Sequence, residues 1–181
     1  MRDPSHPHPF AMEYLEQLVT EWYEYKGYFV RRDLWVGLEP DGSYECELDV
    51  VAYHTEDNHL VQIEILRDAL SWASREDHFR TKFDAGRKYL HRMVAASPPP
   101  TLEQIALIGL EERARRRAIA GARIVWIPDL LAMIFGQLRA IAMASNVAPD
   151  RWPLLHTLHY VAEYRETVCD VLMPAEARRT T

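Results

Sequence analysis

The run Cys46-Glu47-Leu48-Asp49-Val50-Val51-Ala52, a polar turn at Thr55-Glu56-Asp57-Asn58, and the run Leu60-Val61-Gln62-Ile63-Glu64-Ile65-Leu66 decide how this 181-residue chain reads. Side chains alternate along a strand, so Glu45, Glu47, Asp49, Val51 and Tyr53 share one face of the first run, and Tyr44, Cys46, Leu48, Val50 and Ala52 share the other. In the second run Leu60, Gln62, Glu64 and Leu66 share a face, opposite Val61, Ile63 and Ile65. Glu64 is the single charge in an apolar stretch, and burying a carboxylate without a partner is expensive. Three acids in a row on the neighbouring strand repel one another unless water or a cation screens them. Asp49 and Glu64, projecting from one face of adjacent strands, are the natural pair to meet a hard cation such as Mg²⁺, which takes oxygen ligands. The competing reading sets Glu45, Glu47 and Asp49 on a solvated face and pairs Glu64 with a helix arginine.

Working outward, Leu15, Leu18, Val19 and Trp22 recur at helical spacing between Phe10 and Lys26, and Gly27 supplies a stop. Tyr28 to Gly37 is aromatic and β-branched and reads as a strand. Glu39-Pro40-Asp41-Gly42-Ser43 is turn chemistry, so the strand at Tyr44–Tyr53 runs antiparallel to it, and His59–Leu66 completes a meander. Ser71 or Ser74 caps a long helix, roughly Arg75 to Ala95, with Phe79, Phe83, Gly86/Arg87 and Leu90 on one face and bases on the other. Ser97-Pro98-Pro99-Pro100 ends it. Gln104 to Leu110 reads as a strand buried on both sides, an Arg-rich helix spans Glu111 to Ala120, and Ala122 to Ile127 is a further buried strand. Helices at Asp129–Ala144 and Trp152 to about Val168 close the chain. A meander followed by crossovers predicts an α/β sandwich around one mixed sheet. The expected organisation is a flexible lead over residues 1–9, one domain over 10–174 (core 10–127, C-terminal helices 129–168), and a tail from 175 to 181.

The net charge of -6 conceals a split. Residues 1–65 hold 14 acids against 4 bases, whereas residues 66–123 hold 12 bases against 7 acids. The average argues mildly against general nucleic-acid coating; the split supplies a segment rich in cation ligands beside one rich in phosphate contacts. Cys46 and Cys169 lie far apart, too few for a zinc site alone and in keeping with a reducing compartment. No apolar run reaches the length of a membrane span and Met1 to Pro9 lacks a signal-peptide core, so the expected location is cytoplasmic with no membrane partner.

Cys46 to Ala52 followed by Leu60 to Ile65 resembles the core of the PD-(D/E)XK, restriction-endonuclease-like nucleases. Bacterial resolvase-like and repair members of that superfamily often read Gly-Glu-Ile/Leu-Asp-Leu/Val-Val/Ile-Ala, then Leu-Val-Phe-Val-Glu-Val-Lys. The order helix, three strands, helix, strand over Phe10 to Ile127 is similar too, and implies a three-layer sandwich of order αβββαβ(α)β plus C-terminal helices. By that resemblance Asp49 matches the metal-binding aspartate and Glu64 the acid of the (D/E)XK element. Ile65 matches X, whose backbone carbonyl would face the metal, and Glu16 falls where many members place a helical glutamate, with Glu13 a neighbour in competition. The implied activity is phosphodiester hydrolysis, with DNA the expected substrate and RNA an alternative, using one or two Mg²⁺ or Mn²⁺ ions.

One position departs from the pattern: the motif's lysine is Leu66. Three readings of the departure stand. A base from elsewhere substitutes, with Arg67, Lys82 and Lys88 the candidates and Arg67 and Lys82 entering the catalytic set; or the chain binds metal and nucleic acid without cleaving; or the fold serves as a protein-interaction module. Candidate phosphate contacts are Arg75, Arg80, Arg87, Lys88, Arg115 and Arg116, whose alternative is a solvated surface paired with Glu76, Asp77, Glu111 and Glu112. His156, His159 and Glu163 share a helical face but read as packing or solvent exposure. The five tryptophans read as core or edge, and the apolar helix from Asp129 is a candidate homodimer surface.

Overall fold

The computed structural model describes residues 14–66, 71–94, 96–109, 116–140 and 151–173. Within them the elements run α1 (Tyr14–Tyr25), β1 (Phe29–Leu38), β2 (Tyr44–His54), β3 (His59–Leu66), α2 (Trp72–Met93), β4 (Thr101–Ile108), β5 (Ala118–Ile119), β6 (Ala122–Trp126), α3 (Ile127–Leu138), α4 (Pro153–Glu163) and α5 (Arg165–Leu172). The lead over residues 1–9 and the tail from 175 fall outside the described residues. Two compact units divide between Ile127 and Pro128, at the edge of the expected core.

The first unit is an α/β fold on one mixed sheet of order β1-β2-β3-β4-β6-β5. β1, β2 and β3 form the antiparallel meander, β4 joins β3 in parallel, and β6 joins β4 in parallel. α1 rests on β1 and β2, and α2 crosses the sheet from β1 to β5. Gly27 ends α1 as expected: its φ of +90° is a conformation that glycine adopts without penalty. Ser71 caps α2, its Oγ accepting from the Ser74 N–H at 3.2 Å. Beneath α2, Phe79 and Phe83 are fully buried and stacked at 5.6 Å, joined by Leu66, Ala106, Ile108, Ile124 and Trp126.

Two expectations need correction. The Arg-rich segment is not helical at its end: Ala118 and Ile119 form β5, paired antiparallel with Arg123 and Ala122. Ala120 and Gly121 both carry positive φ, 49° and 82°, and form a two-residue hairpin turn. Residues 111–115 of that segment lie outside the described residues. In the second unit the helix expected from Trp152 to Val168 is two helices, parted at Tyr164 (φ −93°, ψ 26°), with no proline or glycine at the break. There α3 buries Leu130, Ile134 and Leu138, and α4 buries Leu155, His159 and Ala162.

β1 is an edge strand of this sheet, with Phe29, Trp35 and Leu38 exposed along it. Two of its residues leave the extended conformation for the left-handed one, Asp33 at φ +50° and Gly37 at φ +73°.

Candidate active site

The β2–β3 ladder runs from His54↔His59 to Val50↔Ile63 and stops one step before Asp49 and Glu64. Where the strands part, the two carboxylates take over the backbone bonding. The Asp49 N–H donates to Glu64 Oε2 at 3.3 Å, and the Ile65 N–H donates to Asp49 Oδ2 at 2.7 Å. Each acid thus satisfies an N–H that the ladder has released, which locks both side chains to the sheet.

Into this pair comes Lys82 from α2. Its Nζ donates to Asp49 Oδ1 and lies 3.1 Å from Glu64 Oε2. Glu64 is completely buried, while Asp49 and Lys82 are 15% and 17% exposed. Burial, reinforced by the Asp49 charge, pushes the Glu64 carboxyl well above the usual carboxylate range; Lys82 and a hydrogen bond from Gln62 pull the other way. The hydrogen bonds that reach Glu64 come from donors, the Asp49 N–H, the Gln62 amide and Lys82, and these favour its ionised form against burial. Burial also works against the Lys82 charge, but Glu64 and Asp49 overcome it and hold the ammonium protonated.

The sequence candidates distribute as follows. Asp49, Glu64, the Ile65 N–H and Lys82 converge on one point. Glu16 on α1 is near enough for the charges of Asp49, Asp33, Arg32 and Lys82 to act on it. Its carboxyl is raised to about 7, first by burial and then by Asp49 and Asp33. Arg67, Arg115 and the alternative Glu13 lie outside the described residues. Leu66, at the motif's lysine position, is 6% exposed and belongs to the apolar core with Phe79 and Phe83. Lys88 is instead 2.6 Å from Glu45, which also accepts from the Tyr89 hydroxyl.

Among the candidate phosphate contacts, Arg80 pairs with Asp77 at 3.0 Å and Glu76 at 3.2 Å, and Arg87 pairs with Asp84 at 2.5 Å. Arg75 is buried rather than on the solvent face, with its guanidinium over Trp72, and Arg116 lies over the same ring. On α4, His159 is buried and His156 stacks on Tyr160. Among the described residues no three His, Cys, Asp or Glu side chains are grouped to hold one metal ion, and no helix is long and apolar enough to cross a membrane.

Two site residues went unrecognised in the sequence, Gln62 and Gln104. Gln62 is fully buried, and its Nε2 donates to Glu64 Oε1 at 2.7 Å and to the Lys82 carbonyl at 3.0 Å. Gln104, its register partner on β4, donates to Gln62 Oε1 at 2.7 Å and to the Phe83 carbonyl at 2.8 Å. The available signal was an amide placed inside each of two apolar strands.

The shifted Glu16 gives a pH-dependent expectation. Folded Glu16 binds its proton near pH 7, whereas its ordinary value is 4.5. Between those values the native state holds the extra proton, so this group lowers stability as pH rises through that window. The melting-temperature advantage of Glu16→Gln over the parent should therefore be small near pH 4.5 and grow up to pH 8. An advantage that is flat or shrinks over that range rejects the assignment.

No family model matches the chain, and no curated protein matches it. Among solved structures, a crystal structure of a protein of unknown function, AF1548, is similar at 16% identity and a TM-score of 0.44, covering 66% of this chain and 65% of that one. The chain thus spans a little under two thirds of that neighbour's length.

Proposed function

We propose that the chain is a metal-dependent phosphodiesterase of the PD-(D/E)XK, restriction-endonuclease-like class acting on DNA, its basic residue supplied by Lys82 of α2 in place of Leu66. The observation that carries this reading is the convergence of Lys82 on both Asp49 and Glu64. The resemblance asks for a cation at the position after Ile65; the chain has leucine there, buried among phenylalanines, and a lysine at the two acids from another element. The strand order β1-β2-β3-β4-β6 around the site supports the same class.

The donor set suits a hard divalent ion. Asp49 and Glu64 offer carboxylate oxygens, and the excess negative charge at a wholly buried Glu64 is what a cation relieves. Mg²⁺ or Mn²⁺ would be held by Asp49, Glu64 and the Ile65 carbonyl, and when bound it supplies Lewis acidity and a more acidic water. The chain's own residues do the rest. Lys82 places a positive charge where a scissile phosphate would gain charge in the transition state. Glu16, with a proton affinity near neutrality, is suited to accept the proton that the attacking water loses as its oxygen bonds to phosphorus, while the P–O bond to the leaving sugar oxygen breaks and that oxygen takes a proton from solvent. Exposed Arg80, Arg87, Lys88 and Arg116 would take backbone phosphates in exchange for their present partners.

Those present partners favour a second reading, an interaction module without catalysis, because Arg80, Arg87 and Lys88 are each already paired with an acid. One assay separates the two. Duplex, single-stranded and branched DNA, and RNA, are incubated with the full chain and Mg²⁺ or Mn²⁺. Cleavage that is removed by EDTA and falls about a hundredfold or more in Asp49→Ala and Glu64→Gln supports the phosphodiesterase. Cleavage that survives both substitutions, or none on any substrate, rejects it.

A further inference from the structure

The site reaches beyond Glu64 through a line of hydrogen bonds that crosses the sheet to the surface. At the outer end Arg87, with its side chain 44% exposed, donates to Gln104 Oε1. Gln104 Nε2 donates to Gln62 Oε1 and to the Phe83 carbonyl, and Gln62 Nε2 donates to Glu64 Oε1 and to the Lys82 carbonyl. A guanidinium can only donate and a backbone carbonyl can only accept. Arg87 therefore compels Gln104 to turn its oxygen outward and its nitrogen inward. The Phe83 carbonyl agrees with that orientation. Gln62 must then present its oxygen to Gln104 and its nitrogen to Glu64, and the Lys82 carbonyl agrees again. Both amide groups have every hydrogen placed, and the line has one direction, ending on an acceptor at Glu64.

Two further features show the line to be built in. The parallel β3–β4 register sets Gln62 directly beside Gln104. On α2, Gly86 lies over them so closely that a Cβ there would stand 1.8 Å from Gln62 Oε1, so the helix gives up a side chain to let the amide through. Because the carbonyls of Lys82 and Phe83 are both bonded, the same two glutamines also fix the height and rotation of the turn of α2 that carries Lys82.

We propose that Gln62 and Gln104 are positioning residues of the site: with Arg87 they form an oriented hydrogen-bond line that holds Glu64 toward Asp49 and sets Lys82 against both. Its kinetic consequence rests on the phosphodiesterase reading; its structural content does not. The experiment therefore has two arms, both on the full chain. In the first, kcat and KM for DNA are measured with Mn²⁺ for the parent, Gln62→Leu, Gln104→Leu and Gln104→Glu. Glutamate at 104 keeps size and the Arg87 contact but can no longer donate inward. The expected result is a fall in kcat of about tenfold to a hundredfold in all three, with KM for DNA within about twofold of the parent. In the second arm, NMR follows proton exchange of the Gln62 side-chain amide in the parent and in Arg87→Met, a surface change that spares the core. Exchange should be slowed about a hundredfold relative to a free amide in the parent and hasten in Arg87→Met.

If the parent cleaves and the variants lose only melting temperature while kcat holds, the positioning role is overturned and the phosphodiesterase stands. If the parent cleaves nothing, the phosphodiesterase fails and the exchange arm decides alone. Protection lost on removing the distant guanidinium supports the line, and an unprotected Gln62 amide, or one indifferent to Arg87, overturns it.

Discussion

Lys82→Met is expected to reduce metal-dependent cleavage by about a hundred- to a thousandfold, the loss typical of removing one charge-stabilising group from a reacting centre. The reason is twofold. The variant loses the positive charge that Asp49 and Glu64 share, and it leaves a wholly buried carboxylate with only neutral donors, the Gln62 amide and the Asp49 N–H, to offset its burial. Glu64 then holds its proton more tightly still, so Mn²⁺ affinity should fall together with cleavage. Calorimetry with Mn²⁺ beside the cleavage assay checks both. The companion experiment asks whether the motif's usual position can be restored. Leu66→Lys places an ammonium among Phe79, Phe83, Ala106 and Ile108, side chains that cannot pair with it. Combined with Lys82→Met it should not recover cleavage and should cost about 3 kcal/mol or more in denaturant unfolding. Recovery by that double variant would mean that the β3 position still faces the reacting centre, and the role given to Lys82 would fall.

Gly86→Ala is the second large effect, and two rules of opposite sign contest it. Inside a helix, alanine is favoured over glycine by about 1 kcal/mol, and on propensity alone the variant should be more stable. The new Cβ would stand 1.8 Å from Gln62 Oε1 and 2.6 Å from its Cδ, distances that no relaxation of a fully buried amide absorbs cheaply. Overpacking costs about 1–3 kcal/mol. Pushing Gln62 aside leaves buried donors and acceptors unmet at Glu64, Gln104 and the Lys82 carbonyl, each worth about 1–3 kcal/mol. Sterics wins, and a net destabilisation of about 2–4 kcal/mol is expected by chemical denaturation. An alanine variant as stable as the parent would show that α2 sits farther from β3 than described.

Much of this was legible in the residues. Period-two alternation in Cys46–Ala52 and Leu60–Leu66 put Asp49 and Glu64 on one face, and that is where they meet. Lys82 was one of three candidates for the missing base, and spacing alone could not choose among them, since its selection depends on how α2 lies across the sheet. Gln62 and Gln104 escaped because their meaning is a matter of register: 42 residues separate them, and only the parallel pairing of β3 with β4 makes them neighbours. Gly86, with Arg87, reads only as one position on the face of Phe79, Phe83 and Leu90, and nothing local reveals that an amide from another strand fills the space above it. β5 was missed because two residues leave no period to detect, and its Ala120-Gly121 turn reads equally well as a helix ending. The charge split had a concrete outcome. Acids of the first third meet bases of α2 at Glu45–Lys88 and at Asp49–Lys82.

The kink at Asp33 bears on how the molecule keeps its own company. An extended edge strand of ten residues that displays Phe29, Trp35 and Leu38 is a template on which another chain's strand can lie, and chains that stack this way leave solution. With left-handed residues at Asp33 and Gly37 inside it, β1 offers two short stretches that do not share a line, four residues before Asp33 and three between it and Gly37. An incoming strand can zip along one or the other but not through both. The strain held at that aspartate thus acts as a break in an adhesive seam, and it favours a dispersed protein over a fibrous one.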